Sequence, residues 1–577
     1  MIAMMLVVAG PLAAPGVRAQ TFEKHVVVAQ EGNAADVGRD VLRAGGNAVD
    51  AAVATAFALA VTHPAAGNIG GGGFLVAYLA DRREVVTIDF RETAPAAATA
   101  RMYLGDDGRL APNHRAGAWA AGVPGTVRGL GLAHAKWGKI GWSNLVRPAA
   151  DLARRGFALS APLADSLNAQ LSPRRQINAE SAKKNDLTDV IHRLAQFPES
   201  VAAFGKPGGG PWRAGDILLQ RDLAETLDRI AELGPDEFYR GRTAELLARY
   251  MADQRGIITR DDLARYEAKI RPPIHSRYRE HDVYGMGPPA SGGIVVAEML
   301  SILERFDLKA DGPGSPRTIH RVTEAMRRAF FVRATEIADP DFVSVPVDRL
   351  ISRSYADELA RTITERATPS ASLAPFRVLA PEPMHTTHLS AMDAAGNAVA
   401  LTYTLEEGFG AKAVVKGAGF LLNNEMGDFN LIPGRTDTSG RIGTPANIIA
   451  PGKRMLSSQS PTIVLKGGQV RLVTGSPGGR TIPNTTLWVV LNVLEFDRPP
   501  QEAVGAARTH HAWFPDVLTM ERSNWPEATL ADLRARGHRV RIGVTQGDAH
   551  TIVVDGESGR RIGAPDPRRG TAKASGD

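Results

Sequence analysis

The stretch HTTHLSAMDAAGNAVALTYT, residues 385–404, carries five aliphatic hydroxyls, on Thr386, Thr387, Ser390, Thr402 and Thr404. A hydroxyl becomes a nucleophile only when a base removes its proton, and no acid/base pair of side chains stands beside these. The spacing narrows the choice. HLSAM and AVALTYT flank Asp393-Ala394-Ala395-Gly396-Asn397, a loop length that hairpins tolerate. Pairing Met392 with Ala398 sets Thr386 opposite Thr404, on one face and about 5 Å away. Cross-strand threonine pairs also stabilise ordinary sheets, so this register alone singles out a pair and no reaction.

A second hairpin, SSQSPTIVLKGGQVRLVTGSPGG, turns at Gly467-Gly468. Pairing Lys466 with Gln469 puts Ser458 opposite Pro477 and Ser457 opposite Gly478. Two serines and a GSPGG turn then share one end of a sheet. Successive glycine N–H groups can form an anion nest or an oxyanion hole, although most glycine-rich turns are only turns.

Other elements must hold these hairpins in place. ADVGRDVLRA and NAVDAAVATAFALAVT read as helices separated by Gly45-Gly46, the second apolar on most sides and therefore buried. His63-Pro64 ends it. AAGNIGGGGF then turns into the strand FLVAYLA, and VVTIDF runs up to Arg91-Glu92. Residues 120–380 read as mostly helical, with GKPGGGPWRAG and MGPPASGG as loops. From Thr386 onward short β-rich runs alternate with Gly/Asn/Asp turns, a shift that marks a boundary near residue 385. The tail APDPRRGTAKASGD reads as disordered.

Composition excludes several classes. The chain has 577 residues and no cysteine, so disulfides, thiolate metal sites and a cysteine nucleophile are ruled out. A net charge of +6, spread without basic runs, argues against nucleic-acid binding. Residues 1–19 contain a short apolar run and then Val17-Arg18-Ala19, the pattern of a cleavable export signal, though the usual positive start is missing. No stretch reaches the ~18 apolar residues of a membrane helix. GMGPPA lacks a workable helix start for dinucleotide binding, GNIGGGG lacks the lysine of a phosphate loop, and no HExxH occurs. The adjacent His510-His511 suits structure better than zinc. No metal and no cofactor are expected.

AGGNAVDAAVAT, THPAAGNIGGGGF, IDFRETAP, GMGPPASGG, DPDF, TTH, GNAVALTYT, LLNNEMGDF, PGKRMLSSQSPTIV and GSPGG occur in this order. Together they resemble the γ-glutamyltranspeptidases (glutathione hydrolases), N-terminal-nucleophile hydrolases, over nearly the whole chain. The resemblance implies an α+β fold, a four-layer αββα sandwich built by two subunits of one precursor. It implies self-cleavage between His385 and Thr386, giving a large subunit of residues 20–385 and a small one of 386–577 that pair as a heterodimer. Thr386 would then be the nucleophile and its new α-amine the general base, which explains why no base side chain is visible. Thr404 resembles the threonine that orients it, and Gly478 and Gly479 the oxyanion donors. Arg91, with Ser457 and Ser458, corresponds to the grip on a γ-glutamyl α-carboxylate, and Glu425 and Asp428 to the holders of its ammonium. Glu406 stands where some members carry asparagine. The lid position, residues 433–453, holds no tyrosine.

The expected activity is thus removal of a γ-glutamyl group from a small molecule such as glutathione, passing it to water, an amino acid or a dipeptide, in the periplasm or outside the cell. Two alternatives stand beside it. One is a cephalosporin (glutaryl) acylase-like amidohydrolase of the same fold. The other is an unprocessed, silent binding or scaffold protein.

Overall fold

The computed structural model describes residues 17–111, 114–172, 192–373, 386–433, 445–543 and 545–577. His385, most of the export-signal segment and the centre of the lid segment therefore lie outside the described residues.

Two seven-stranded antiparallel sheets lie face to face. The first runs, in spatial order, through Lys573–Gly576, Val26–Ala29, Thr387–Met392, Ala398–Thr404, Gly72–Leu79, Glu84–Asp89 and Lys269–Arg271. The second runs through Gln20–Phe22, Arg561–Pro565, His550–Val554, Gln469–Thr474, Thr462–Lys466, His281–Gly285 and Ile274–Tyr278. Alternate side chains of both sheets, among them Val26, Val28, Phe74, Val76, Ile463, Val473 and Ile552, form the layer between them. The other face of the first sheet packs on the helix Ala48–Thr62, every residue of which is buried. Asn47 and Asp50 cap that helix reciprocally, and it stops at His63. Helices Gly292–Leu303, Pro316–Glu336 and Ile482–Leu494 cover the second sheet. The result is the expected αββα sandwich, and both sheets draw strands from before and after residue 386.

The first hairpin has the expected register, from Met392↔Ala398 to Thr387↔Tyr403. The second turns at Gly467-Gly468, both with positive φ, but a bulge between Val464 and Leu465 shifts its register. Its pairing ends at Thr462↔Thr474, so Ser457 and Ser458 do not face the glycine turn across a ladder; Ser457 instead bridges Ala290. Two further expectations are corrected. Within the helical region, Lys269–Arg271, Ile274–Tyr278 and His281–Gly285 are strands: the first two are edge strands of the two sheets, and the third lies one place in from the edge of the second. The tail is ordered: Arg561–Pro565 and Lys573–Gly576 are strands, Lys573 Nζ reaches Asp36 at 2.7 Å, and the Asp577 carbonyl accepts from Lys24 N at 2.7 Å. Backbone pairing and ion pairs order a segment whose apolar content alone would not.

Candidate functional site

Thr386 directly precedes the strand Thr387–Met392 and is buried. Its hydroxyl donates to Thr404 Oγ1 at 3.4 Å, so the pair expected from the register meets. Thr404 Oγ1 also accepts from the Glu406 N–H at 2.9 Å. The neighbouring glycine run has a steric reason: a Cβ on Gly71 would sit 2.0 Å from the Thr404 carbonyl oxygen. GNIGGGG thus lets one backbone pass close to another.

Arg91 follows the strand Glu84–Asp89 and is fully buried. Its guanidinium lies 2.6 Å from Glu425 and 3.6 Å from Glu92, and it also bonds the Asp428 carboxylate. Burial opposes its charge, but Glu425, Glu92 and Asp428 outweigh that and hold it protonated. The acids are crowded in turn. Burial, reinforced by the neighbouring carboxylates and opposed by Arg91, pushes Glu425 well above the usual carboxylate range. Burial likewise lifts Glu92 to about 8 against the pull of Arg91. Glu425 and Asp428 belong to one short 3-10 turn, Glu425–Asp428. The Glu406 carboxylate packs on that turn, 2.9 Å from where a Cβ of Gly427 would lie. One residue therefore touches both Thr404, the partner of Thr386, and the acidic turn. Glu406 has φ +77°, a conformation uncommon for a side-chain-bearing residue, as befits a position held by its surroundings.

Ser457 and Ser458 are buried just beyond Met455 and Leu456, whose carbonyls accept from Arg91 at 3.4 and 3.5 Å. Gly478 and Gly479 have φ of +134° and +54°. They precede the buried helix Ile482–Leu494, so the N–H groups of the turn lie at the positive end of its dipole.

His388 joins the strand Thr387–Met392 to the glycine turn. A Cβ on Gly475 would sit 2.4 Å from its ring, so the imidazole fills the space glycine leaves. Burial pulls His388 well below the usual histidine value, and the ring is neutral. Its tautomer follows from its partners. Ser390 spends its proton on the His550 carbonyl at 2.8 Å, so it accepts from His388 Nε2–H at 3.1 Å. His388 Nδ1 then accepts from the Thr402 hydroxyl at 2.8 Å.

The structure thus gathers Thr386, Thr404, Glu406, Glu425, Asp428 and Arg91 at one end of the first sheet, with Ser457 and Ser458 following the chain segment that Arg91 bonds. Arg115 was not anticipated. It reaches Glu406 at 3.2 Å and Glu407 at 3.0 Å, and Lys412 extends the row to Glu407 at 3.3 Å. Arg115 sits in NHRAGAW with no pattern around it that could have signalled this. Elsewhere, His320, Glu324 and His538 bring ligand-type atoms together. The two rings hydrogen-bond each other at 2.8 Å, and Glu324 already pairs with Arg327 at 3.2 Å and Arg328 at 2.6 Å, so these donors are engaged without an ion.

Known proteins carry the same arrangement of sequence and fold. The Gamma-glutamyltranspeptidase family model matches residues 34–576. A glutathione hydrolase proenzyme of Escherichia coli strain K12 is 43% identical over 550 residues, covering 95% of this chain and 90% of the relative. The Acylase ACY 1 proenzyme of Pseudomonas sp. strain SE83 is 38% identical, covering 92% and 91%. The crystal structure of cephalosporin acylase from Bacillus halodurans superposes with a TM-score of 0.82 at 26% identity, covering 100% of this chain and 99% of that one. A match that runs from the first helix to the last strand, over a sandwich in which the threonine pair and the Arg91 cluster are assembled, places the chain in the γ-glutamyltranspeptidase family.

Proposed function

We propose that the protein is a self-processing γ-glutamyltransferase and glutathione hydrolase with Thr386 as nucleophile. The observation that carries this reading is the set formed by buried Arg91 and Glu425 with the partly exposed Asp428, tied through Glu406 to the Thr386–Thr404 pair. A γ-glutamyl group ends in a zwitterion. Its carboxylate can take the place of the acids on Arg91 while its ammonium takes the place of Arg91 on the acids. Charge balance survives the exchange, so little charge is left buried and unpaired. Ser457 and Ser458 add donors to the carboxylate.

The reaction follows from what cleavage creates. Attack of the Thr386 hydroxyl on the carbonyl of residue 385 and hydrolysis of the resulting ester separate residues 20–385 from 386–577. The freed α-amine, with a reference pKa near ~8, then accepts the hydroxyl proton as Oγ1 attacks the γ-glutamyl carbonyl. Thr404 orients Oγ1, and the Gly478 and Gly479 N–H groups receive the oxyanion. The amine base passes its proton to the leaving amine, and an ester remains on Thr386. Water releases glutamate, and an amino acid or dipeptide amine takes the acyl group instead. Residues 1–19 serve as an export signal, which places the enzyme in the periplasm or outside the cell.

A glutaryl substrate, the second reading, finds support in the acylase relatives and in Arg115, which already engages Glu406. Lacking an ammonium, it would leave Glu425 and Asp428 with nothing to replace Arg91. Two measurements test both readings. Purified protein is expected to give bands of about 40 and 20 kDa at ~110 Da per residue, the smaller beginning Thr-Thr-His. Thr386→Ala is expected to remain one band without activity. Equal turnover of γ-glutamyl anilide and glutaryl-cephalosporin would refute the preference for γ-glutamyl donors, and an uncut wild type would refute the enzyme reading.

A further inference from the structure

Thr387, the residue after the nucleophile, donates to Gln30 Oε1 at 3.4 Å. Gln30 is fully buried at the end of the strand Val26–Ala29, and its amide nitrogen bonds Asp548 Oδ2. Asp548, also fully buried, sends its own N–H to Ser476 Oγ at 2.8 Å. Ser476 lies in the GSPGG turn, two residues before Gly478, and its hydroxyl donates to the Pro477 carbonyl at 2.7 Å. A continuous row of buried bonds therefore runs from the nucleophile strand in one sheet to the glycine turn at the end of the other. Neither Gln30 nor Asp548 touches the Arg91 cluster in this row.

Neighbours fix both ends. The Gln30 carbonyl accepts from Thr571 at 2.9 Å, and Ala549 N donates to Asp566 at 2.8 Å. Arg569 and His550 approach Asp548 Oδ2 only at 3.7 and 3.9 Å, so Gln30 is its nearest donor among the described residues. Burial, reinforced by Asp566, lifts Asp548 to about 8, so near neutral pH the neutral acid predominates and asparagine copies it.

We propose that Asp548, acting through Gln30, is a positioning residue that keeps the Gly478-Gly479 turn in register with Thr386. Attack requires the nucleophile and the oxyanion donors to be correctly spaced, yet they belong to different sheets. An oxyanion donor matters where charge develops, so its misplacement lowers kcat and leaves donor KM nearly unchanged. On that reading the same donors also serve the carbonyl attacked in self-cleavage, so that step slows too. This inference rests on the reading of Thr386 as nucleophile and of the glycines as oxyanion donors.

The test is a double-mutant cycle on the full chain, with active sites titrated and melting followed. Wild type and Thr386→Ala run alongside, and activity in Thr386→Ala would sink the underlying reading by itself. Asp548→Ala and Gln30→Ala are each expected to lower kcat about ten-fold, with KM changed less than about two-fold. The double variant is expected to be no worse than the poorer single, because both remove one bond. Asp548→Asn, which keeps an oxygen for Gln30, is expected to stay within about three-fold of wild type. If Asp548→Ala does not fold, Gln30→Ala and Asp548→Asn decide the matter. Wild-type kcat per titrated site in Gln30→Ala, losses that multiply in the double variant, or an Asp548→Asn as poor as alanine would overturn the proposal.

Discussion

Two arginine–carboxylate clusters, one at the end of the first sheet and one on a helix that covers the second, are built on opposite principles. Around Arg91, three carboxylates share one guanidinium, and both Glu92 oxygens lack a hydrogen-bond partner among the described residues. Around Glu324, on the helix Pro316–Glu336, two guanidiniums and the Thr368 N–H, at 3.1 Å, share one carboxylate. Arg327 goes on to bond Ser370 at 2.5 Å and also Asp516. The consequence shows in the protons. Burial opposes the Glu324 charge, but Arg327 and Arg328 overcome it and bring Glu324 down to about 2, whereas Glu92 goes up to about 8. A saturated cluster holds helices together. An under-neutralised one stores interaction capacity that a ligand can use.

Substitutions that disturb one cluster and spare the other sharpen this contrast. Arg91→Met is expected to lower kcat/KM for a γ-glutamyl donor about a thousand-fold, ~4 kcal/mol of lost charge-assisted binding, with a far smaller change in urea midpoint. Steady-state kinetics and urea unfolding on one preparation check it, and a collapse of stability without loss of kcat/KM would erase the distinction. Arg91→Lys should recover little, since a point charge cannot replace the fork. Glu324→Gln should do the reverse, destabilising by roughly 3 kcal/mol through two underpaired guanidiniums, with kcat per folded molecule unchanged.

The pH dependence separates the clusters by sign. Glu324 has its folded value below the ordinary 4.5, so its stabilisation is full above 4.5 and fades as pH falls toward about 2. Glu92 has its folded value above 4.5, so its contribution is intact below 4.5 and is lost as pH rises toward about 8. The stability gap between wild type and Glu324→Gln should therefore narrow in acid. Glu92→Gln should gain stability over wild type as pH climbs through the same carboxylate range toward 8. Unfolding curves from pH 3 to 9 read both, and parallel curves would contradict the assignment. The smallest effect is expected at Glu406. Its partner Arg115 can still bond a neutral amide oxygen, so Glu406→Gln should raise donor KM by less than about ten-fold.

How much of this was legible depended on distance along the chain. Thr386 and Thr404 lie in one hairpin, and a period of two with a recognisable turn was enough to bring them together. The buried helix after Asn47 was equally readable, because its apolar surface is continuous. The second hairpin was half readable: its turn was encoded, but the bulge at Val464/Leu465 leaves no compositional trace. Arg91 and the Glu425–Asp428 turn, 334 residues apart at the nearer end, came only through family resemblance, since no local rule links such positions. Gln30 and Asp548 are 518 residues apart, and Arg115 and Glu406 are 291 apart; neither pair left a signal. The strands within 269–285 and the tail are hidden for another reason: Lys269–Arg271 and Lys573–Gly576 pair with strands far along the chain, and IHSRY and HDVYG, although they form a local hairpin, lack the apolar content that identifies a strand.

The closing strand Lys573–Gly576 pairs with Val26–Ala29, which also pairs with Thr387–Met392. The strand Lys573–Gly576 and the early strand Val26–Ala29 are thus sewn side by side into the sheet that carries Thr386 at its end. Cutting the backbone before Thr386 would yield two polypeptides in the genetic sense but not in the mechanical one. Neither piece could leave without unzipping strands from both sheets, so the products of scission would be held like interlocked fingers, with no need for a dedicated clasp.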